Sequence, residues 1–243
     1  MPSPIRTLSN ARDLADLLSR DGRLTHAELA EALNMPRASV YRLVEAMAAI
    51  DLVRIGQDGL VAMSSKWLHL SDAARAAMTE WDGAADVLHA ASEVTGQSIF
   101  LCVPRLHRAF CIDWAPGRAL ELLVLRPGRS LAPNAGGAGR LTLAYDPAAE
   151  EVLESGTLER LTPATLVDPA LLREDIARTR SEGRTISLED ATVGIGGIAV
   201  PVLDGQGRFR ASLSAGGLAG EIRANLDDYT AALRAGAQAL TSR

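Results

Sequence analysis

The chain has 243 residues, 47% of them apolar, 23% charged and only 4% aromatic, with a formal net charge of −5 at pH 7. That length suits one large domain or two modest ones, and the apolar fraction excludes wholesale disorder. No apolar run reaches the roughly 18–20 residues of a membrane span, the opening Met-Pro-Ser-Pro-Ile-Arg has no apolar signal segment, and two cysteines cannot form a disulfide framework; a cytoplasmic location is expected.

Residues 1–70 hold eight basic and eight acidic residues, so the entire negative excess falls on the remainder. A neutral nucleic-acid-binding head on an acidic body has this profile, although the asymmetry is mild.

Leu8, Ala11, Leu14, Ala15 and Leu18 recur at helical spacing and predict a helix over 8–19, stopped by Asp21-Gly22. Thr25-His-Ala-Glu28 is a capping-box pattern that starts a short second helix with Leu29, Ala30 and Leu33 inward. Asn34-Met35-Pro36 breaks it, and Pro36 suits the first position of a third helix. There Val40, Leu43, Val44 and Met47 form the inward stripe, leaving Arg37, Ser39, Tyr41 and Arg42 outside. The period then changes: Leu52–Ile55 and Leu60–Met63 read as two short strands around the turn Gly56–Gly59. Three helices and a hairpin make a winged helix-turn-helix, whose third helix fits the DNA major groove. A small helical bundle with a solvated basic face is the plainer reading; the capped second helix, tight turn and hairpin favour DNA binding.

The run Thr25-His-Ala-Glu-Leu-Ala-Glu-Ala-Leu-Asn-Met-Pro-Arg-Ala-Ser-Val-Tyr-Arg-Leu-Val resembles the helix-turn-helix of the IclR family of bacterial transcription regulators. Asn34 stands where that family usually has Gly, and Arg37 where it has Lys. The resemblance, with the outward positions, implies DNA contacts by Arg37, Ala38, Ser39, Tyr41, Arg42 and Arg54. Gln57-Asp58 in the wing is not basic, which argues against strong minor-groove contact there.

Trp67, Leu68, Leu70, Ala74, Ala77 and Met78 give one apolar helical face, like the family's linker helix, or else a helix packed on one domain. Another helix is predicted near 80–94, with Trp81, Ala85, Leu88 and Ala91 inward. Beyond it, strands are expected at 98–103, 109–114, 119–125, 184–187, 198–203 and 208–215, with helices ending at 141–145 and spanning 150–154, 169–180 and 223–241. The expected fold is α+β: a winged helix-turn-helix (1–63), a linker helix (64–78) and a GAF-like antiparallel-sheet domain flanked by helices (79–243).

The resemblance continues in order along the chain: Thr95-Gly96; Pro127-Gly-Arg-Ser-Leu131 before Gly136-Gly-Ala-Gly-Arg140; Leu161-Thr-Pro-Ala-Thr165; Ile198-Ala-Val-Pro-Val202 before Asp204-Gly-Gln-Gly207. It departs at Ala132, where the family usually has Pro, at Arg140, where it has Lys, and at Ile195-Gly-Gly197, where a cysteine is common. The resemblance implies an effector site on backbone N–H groups of Gly137 and Ala138, with Ser187, Gly197, Ser214 and Gly216 on later strands. Members binding small oxoacids carry Asp, Cys, Ser and Ser at the last four, so a roomier, less polar pocket, fit for a carboxylate and even an aromatic one, is expected. The alternative is that the glycines only satisfy backbone geometry.

Rival chemistry is weak. Gly136–Arg140 lacks the Gly-Lys-Ser/Thr of a phosphate loop, Gly194–Gly197 lacks dinucleotide spacing, and no Gly-x-Ser-x-Gly elbow exists. Cys102, His107 and Cys111 fall in one hairpin, but no fourth ligand is visible, so two core cysteines and a turn histidine are expected, with no metal and no cofactor. The function these readings imply is a ligand-responsive, non-enzymatic regulator, expected to be a repressor of a catabolic operon, binding an inverted-repeat operator in double-stranded DNA as a homodimer or dimer of dimers. The alternative is a GAF-like small-molecule sensor or enzyme whose N-terminal helices serve only assembly.

Overall fold

The computed structural model describes residues 5–118, 125–155 and 158–241. The chain divides into two compact units that meet in sequence between Met78 and Thr79, and it is an α+β protein.

The first unit contains α1 (Arg6–Asp21), α2 (His26–Ala32), α3 (Arg37–Ala49), the two-stranded hairpin β1 (Val53–Ile55) and β2 (Val61–Met63), and α4 (Lys66–Ala76). The predicted stripe of α3 is buried in full and meets Leu14, Leu17 and Leu18 of α1 and Leu29 of α2. Thr25 and Glu28 close the capping box: the Glu28 N–H donates to Thr25 Oγ1 at 3.2 Å, and the Thr25 N–H donates to Glu28 Oε2 at 2.7 Å. The Thr25 N–H, and after it the Thr25 hydroxyl donating to Glu28 Oε2 at 2.8 Å, hold the Glu28 carboxyl below its usual range. Asn34 has φ +48°, a left-handed conformation that accounts for glycine being usual there and asparagine being a tolerated substitute. Pro36 caps α3 and does not begin it, one residue before its expected place. The apolar face expected of the linker is not covered within this unit: α4 buries no residue, and Leu68 stands 71% exposed.

The second unit contains α5 (Ala84–Thr95), β3 (Ser98–Arg105), β4 (Arg108–Ala115), β5 (Ser130–Leu131), α6 (Gly137–Tyr145), α7 (Ala149–Glu154), α8 (Pro169–Glu182), β6 (Thr185–Leu188), β7 (Ile195–Leu203), β8 (Phe209–Leu218), α9 (Ala219–Ala224) and α10 (Leu226–Thr241). Its strands form one antiparallel sheet in the order β5-β4-β3-β8-β7-β6. Residues 119–124 of the strand expected at 119–125 lie outside the described residues. Two expectations are corrected. Leu88 and Ala91 of α5 are buried as expected, but Ala85 is exposed and Ala84 is buried in its place, because the inward face begins one residue earlier. The helix expected over 223–241 is two helices interrupted at Asn225, which has φ −125° and ψ 29° and so leaves the helical conformation.

Strand alternation gives the sheet two unlike faces. Leu213 of β8 points at Gly236 of α10, and its cross-strand partners are Leu101 and Val200, all buried. The opposite face presents Phe100, Ser214, Gly216, Gly197 and Ser187, and there α6 packs. Small side chains on that face let the helix approach closely. A Cβ on Gly137 would lie 3.3 Å from the Gly197 carbonyl carbon, and one on Gly139 only 2.1 Å from the Ala132 carbonyl oxygen.

That 2.1 Å approach is to backbone, which cannot swing aside. Gly139→Ala is expected to destabilise the second unit by about 2–3 kcal/mol. Gly220, in α9, has nothing within 4 Å of a Cβ, so Gly220→Ala is expected to stabilise by about 0.5 kcal/mol. Urea unfolding of the two variants, read against the parent chain, checks both signs.

Candidate functional sites

The first unit exposes one face of α3. Arg37 and Tyr41 are one turn apart, as are Ala38 and Arg42, and all four side chains are exposed. Ser39 is half-buried. Pro36 supplies no side-chain cap, and while the Ser39 N–H donates to the Pro36 carbonyl at 2.9 Å, the N–H groups of Arg37 and Ala38 remain open to an anion. Arg37, Arg42 and, on β1, Arg54 form no ion pair among the described residues, so their charges are uncompensated. The Tyr41 ring is stacked on His26 at 4.1 Å with 9° between the planes. His26 was not singled out from sequence; its signal was its place as first residue of the capped helix. At the wing, Asp58 pairs with Arg23, which ties the hairpin tip to the α1–α2 connection.

The second unit holds a cavity between α6 and the small-residue face of the sheet. All six residues that the family resemblance assigned to an effector line it: Gly137, Ala138, Ser187, Gly197, Ser214 and Gly216. Phe100, Leu125, Leu131 and Ile195 supply apolar walls, and Thr192 adds a hydroxyl. The cavity measures about 80 Å³. A Cβ on Gly197 would meet Ala215 O at 3.4 Å and Gly137 N at 3.6 Å, ordinary van der Waals contact, so the start of α6 lies close against this glycine with room for a methyl group between them. Ser214 is buried yet its hydroxyl has no protein partner among the described residues.

Behind α6 lies a charge cluster that sequence reading missed. Arg140 is buried, with Asp175 and Asp190 beside it. Its Nε donates to Asp175 Oδ2 at 2.8 Å, its Nη2 to Asp175 Oδ1, and its Nη1 to Asp190 Oδ2 at 2.8 Å. Burial works against the charged guanidinium, but the hydrogen bonds and charges of the two carboxylates outweigh it, and the Arg140 pKa is raised. Asp190 Oδ1 accepts the Gly136 N–H at 2.8 Å and the Ser187 hydroxyl. Arg140 had been noted only as a departure from Lys. The missing signal was long-range, since its partners lie 35 and 50 residues away.

Cys102 and Cys111 are cross-strand partners, both buried and free. Burial and the neighbouring Cys111 sulfur raise the Cys102 thiol well above its usual range, the contact with Cys111 being the larger cause. His107 sits at the hairpin tip with φ +61° and pairs with Asp146 at 2.7 Å. Among the described residues no His/Cys/Asp/Glu group is arranged to hold a metal ion, and no helix is long and apolar enough to cross a membrane.

Comparison with known proteins extends these findings. The family described as bacterial transcriptional regulator IclR C-terminal matches residues 82–242, and the IclR helix-turn-helix domain matches residues 7–55. The chain is similar to the HTH-type transcriptional regulator BhcR of Paracoccus denitrificans, 29% identical over 224 residues, covering 88% of this chain and 77% of the relative. It is similar to the HTH-type transcriptional repressor AllR of Salmonella typhi, 26% identical over 214 residues, covering 83% and 75%. The fold matches that of an IclR homologue from Microbacterium hydrocarbonoxydans solved with 4-hydroxybenzoate, with TM-score 0.81, 21% identity and coverage of 97% and 98%. These relatives are transcriptional regulators, not enzymes.

Removing the Arg140 cation would strand two buried carboxylates. Arg140→Ala is expected to cost about 3–5 kcal/mol of stability in the second unit. Arg140→Lys, which keeps the charge but loses the forked contact to Asp175, is expected to cost less. Denaturant titration of the three proteins orders them.

Proposed function

We propose the following reading for a chain that belongs to the IclR family of bacterial transcriptional regulators: it is a cytoplasmic repressor of a catabolic operon, released by a small carboxylate. The observation that carries the ligand part is the cavity itself. α6 starts without a side-chain cap and its first residues, Gly137 and Ala138, line the cavity; the free N–H groups of a helix start attract an anion. The unpartnered Ser214 hydroxyl adds a further donor. The repressor named AllR and the neighbour bound to 4-hydroxybenzoate support both halves of the reading. At about 80 Å³ the cavity is smaller than the roughly 150 Å³ that holds a benzene ring, so an aliphatic acid fits as it stands and an aromatic one needs it to widen.

On DNA, α3 lies in the major groove. Arg42 reads a base edge, while Arg37, Ala38 and Ser39 at the helix start, Tyr41 and Arg54 reach the backbone and flanking positions. One short recognition helix covers too few base pairs for useful specificity, so two copies act on an inverted repeat. Ile5 and Leu8 at the start of the chain and Leu68 and Leu70 on α4 are exposed apolar groups suited to pairing those copies, and the second units would join dimers into a tetramer.

Arg42→Ala is expected to weaken operator binding by about 1–3 kcal/mol per contacted site and to relax base preference, whereas Arg37→Ala weakens all sequences alike and flattens the salt dependence. Unchanged affinity of both variants in a fluorescence-anisotropy titration would remove α3 as the binding face.

A ligand that shifts operator affinity must bind two conformations unequally. Gly216→Leu, which fills the cavity wall, is therefore expected to bind the operator normally and to ignore added carboxylates that release the parent protein. A normal response by that variant would place the effector elsewhere.

A further inference from the structure

The hydrogen-bond polarity of the cavity is uneven. The α6 N–H groups can only donate. Ser214 and Thr192 line the cavity without protein partners among the described residues, so their hydroxyls give or accept as a ligand requires. Ser187 differs. A hydroxyl has one proton, and that of Ser187 is committed to Asp190 Oδ1. Asp190 cannot reverse the bond, because it already faces two other donors, the Gly136 N–H at 2.8 Å and the Arg140 guanidinium at 2.8 Å. Ser187 Oγ is therefore left with lone pairs alone to offer the cavity, and it is 3% exposed, so water does not compensate a mismatch there.

The position of this acceptor is constrained. Ser187 Oγ and Gly136 N both bond the same Asp190 oxygen, which puts them within about 6 Å of each other, two hydrogen-bond lengths. Ser187 is also the cross-strand partner of Gly197, against which α6 begins. An obligate acceptor thus sits beside the donors proposed to hold the carboxylate. The negative charge of Asp190 does not repel the ligand unopposed, since it is shared among three donors including Arg140.

We infer that the effector is a 2-hydroxy carboxylic acid: its carboxylate takes the α6 N–H groups and Ser214, and its hydroxyl donates to Ser187 Oγ. This rests on the carboxylate reading given above and sharpens it. A 2-oxo acid of the same skeleton would set carbonyl lone pairs against those of Ser187, an unpaired buried acceptor on each side. Asp190 and Arg140 act as positioning residues that fix the direction of the Ser187 proton.

Calorimetric titration of the full chain with two matched pairs tests this: lactate against pyruvate, and mandelate against phenylglyoxylate. The hydroxy acid of the tighter-binding pair is expected to bind at least tenfold more strongly than its oxo partner, and Ser187→Ala is expected to bring the two within about twofold. Equal or tighter binding of the oxo acid by the parent chain overturns the inference while leaving the carboxylate reading intact. A tenfold preference that persists in Ser187→Ala overturns the assignment to Ser187. Binding of neither member of either pair overturns the inference together with the carboxylate reading. Should Ser187→Ala fail to fold, the pairs measured on the parent chain decide.

Discussion

The buried guanidinium of Arg140 is the interaction on which the second unit depends. Taking a charge out of water costs several kcal/mol even after relaxation, so such a group persists only when it is surrounded by well-placed acceptors. Here two carboxylates supply them, Asp175 from α8 and Asp190 from the β6–β7 connection. Arg178 flanks Asp175 on its solvent side, which offsets the cluster's excess negative charge. Three separate stretches of chain are thereby drawn to one point behind α6.

The consequences spread from there into the cavity. Asp190, held by Arg140, takes the N–H of Gly136 and sets where α6 begins. The same carboxylate orients Ser187. Its backbone is fastened as well. Thr165 Oγ1 donates to the Asp190 carbonyl at 2.6 Å, and Thr162 Oγ1 donates to the Glu189 carbonyl at 2.7 Å. Thr165 Oγ1 in turn accepts the N–H of Thr162 at 2.8 Å. The Leu-Thr-Pro-Ala-Thr run is thus a clasp for the loop that holds Asp190 and whose next residues, Ala191 and Thr192, line the cavity. A site built this way is preorganised: its polar groups are fixed before a ligand arrives, which lowers the ordering cost of binding.

The first unit solves a different problem with local means. Its third helix must stand clear of its own core while remaining rigid. The capping box fixes the start of α2, the left-handed Asn34 turns the chain sharply, and the four-residue stripe of α3 anchors in leucines of α1 and α2. The outward face is then free for recognition, with Tyr41 braced against His26.

The sequence by itself determined most of that first unit, because every device in it acts over a few residues. A capping box spans four positions, a helical stripe repeats within one element, and the Asp58-Gly59 turn sets its own hairpin. In the second unit the ordered motifs, through family resemblance, singled out six residues that line one cavity, and strand periodicity marked most of the sheet. Only the tertiary structure decided what those residues do there. Gly197 was expected to leave volume, and the structure sets the start of α6 close against it. Ser187 was placed at the effector site without a hydrogen-bonding role, and its proton is committed to Asp190. Arg140 stood out only as a departure from lysine and proved to be the centre of a buried ion cluster. Each of these depends on partners at sequence separations between 3 and 60 residues, and hydrogen-bond direction and close backbone approach follow from how strands and helices meet in space, which no local periodicity encodes.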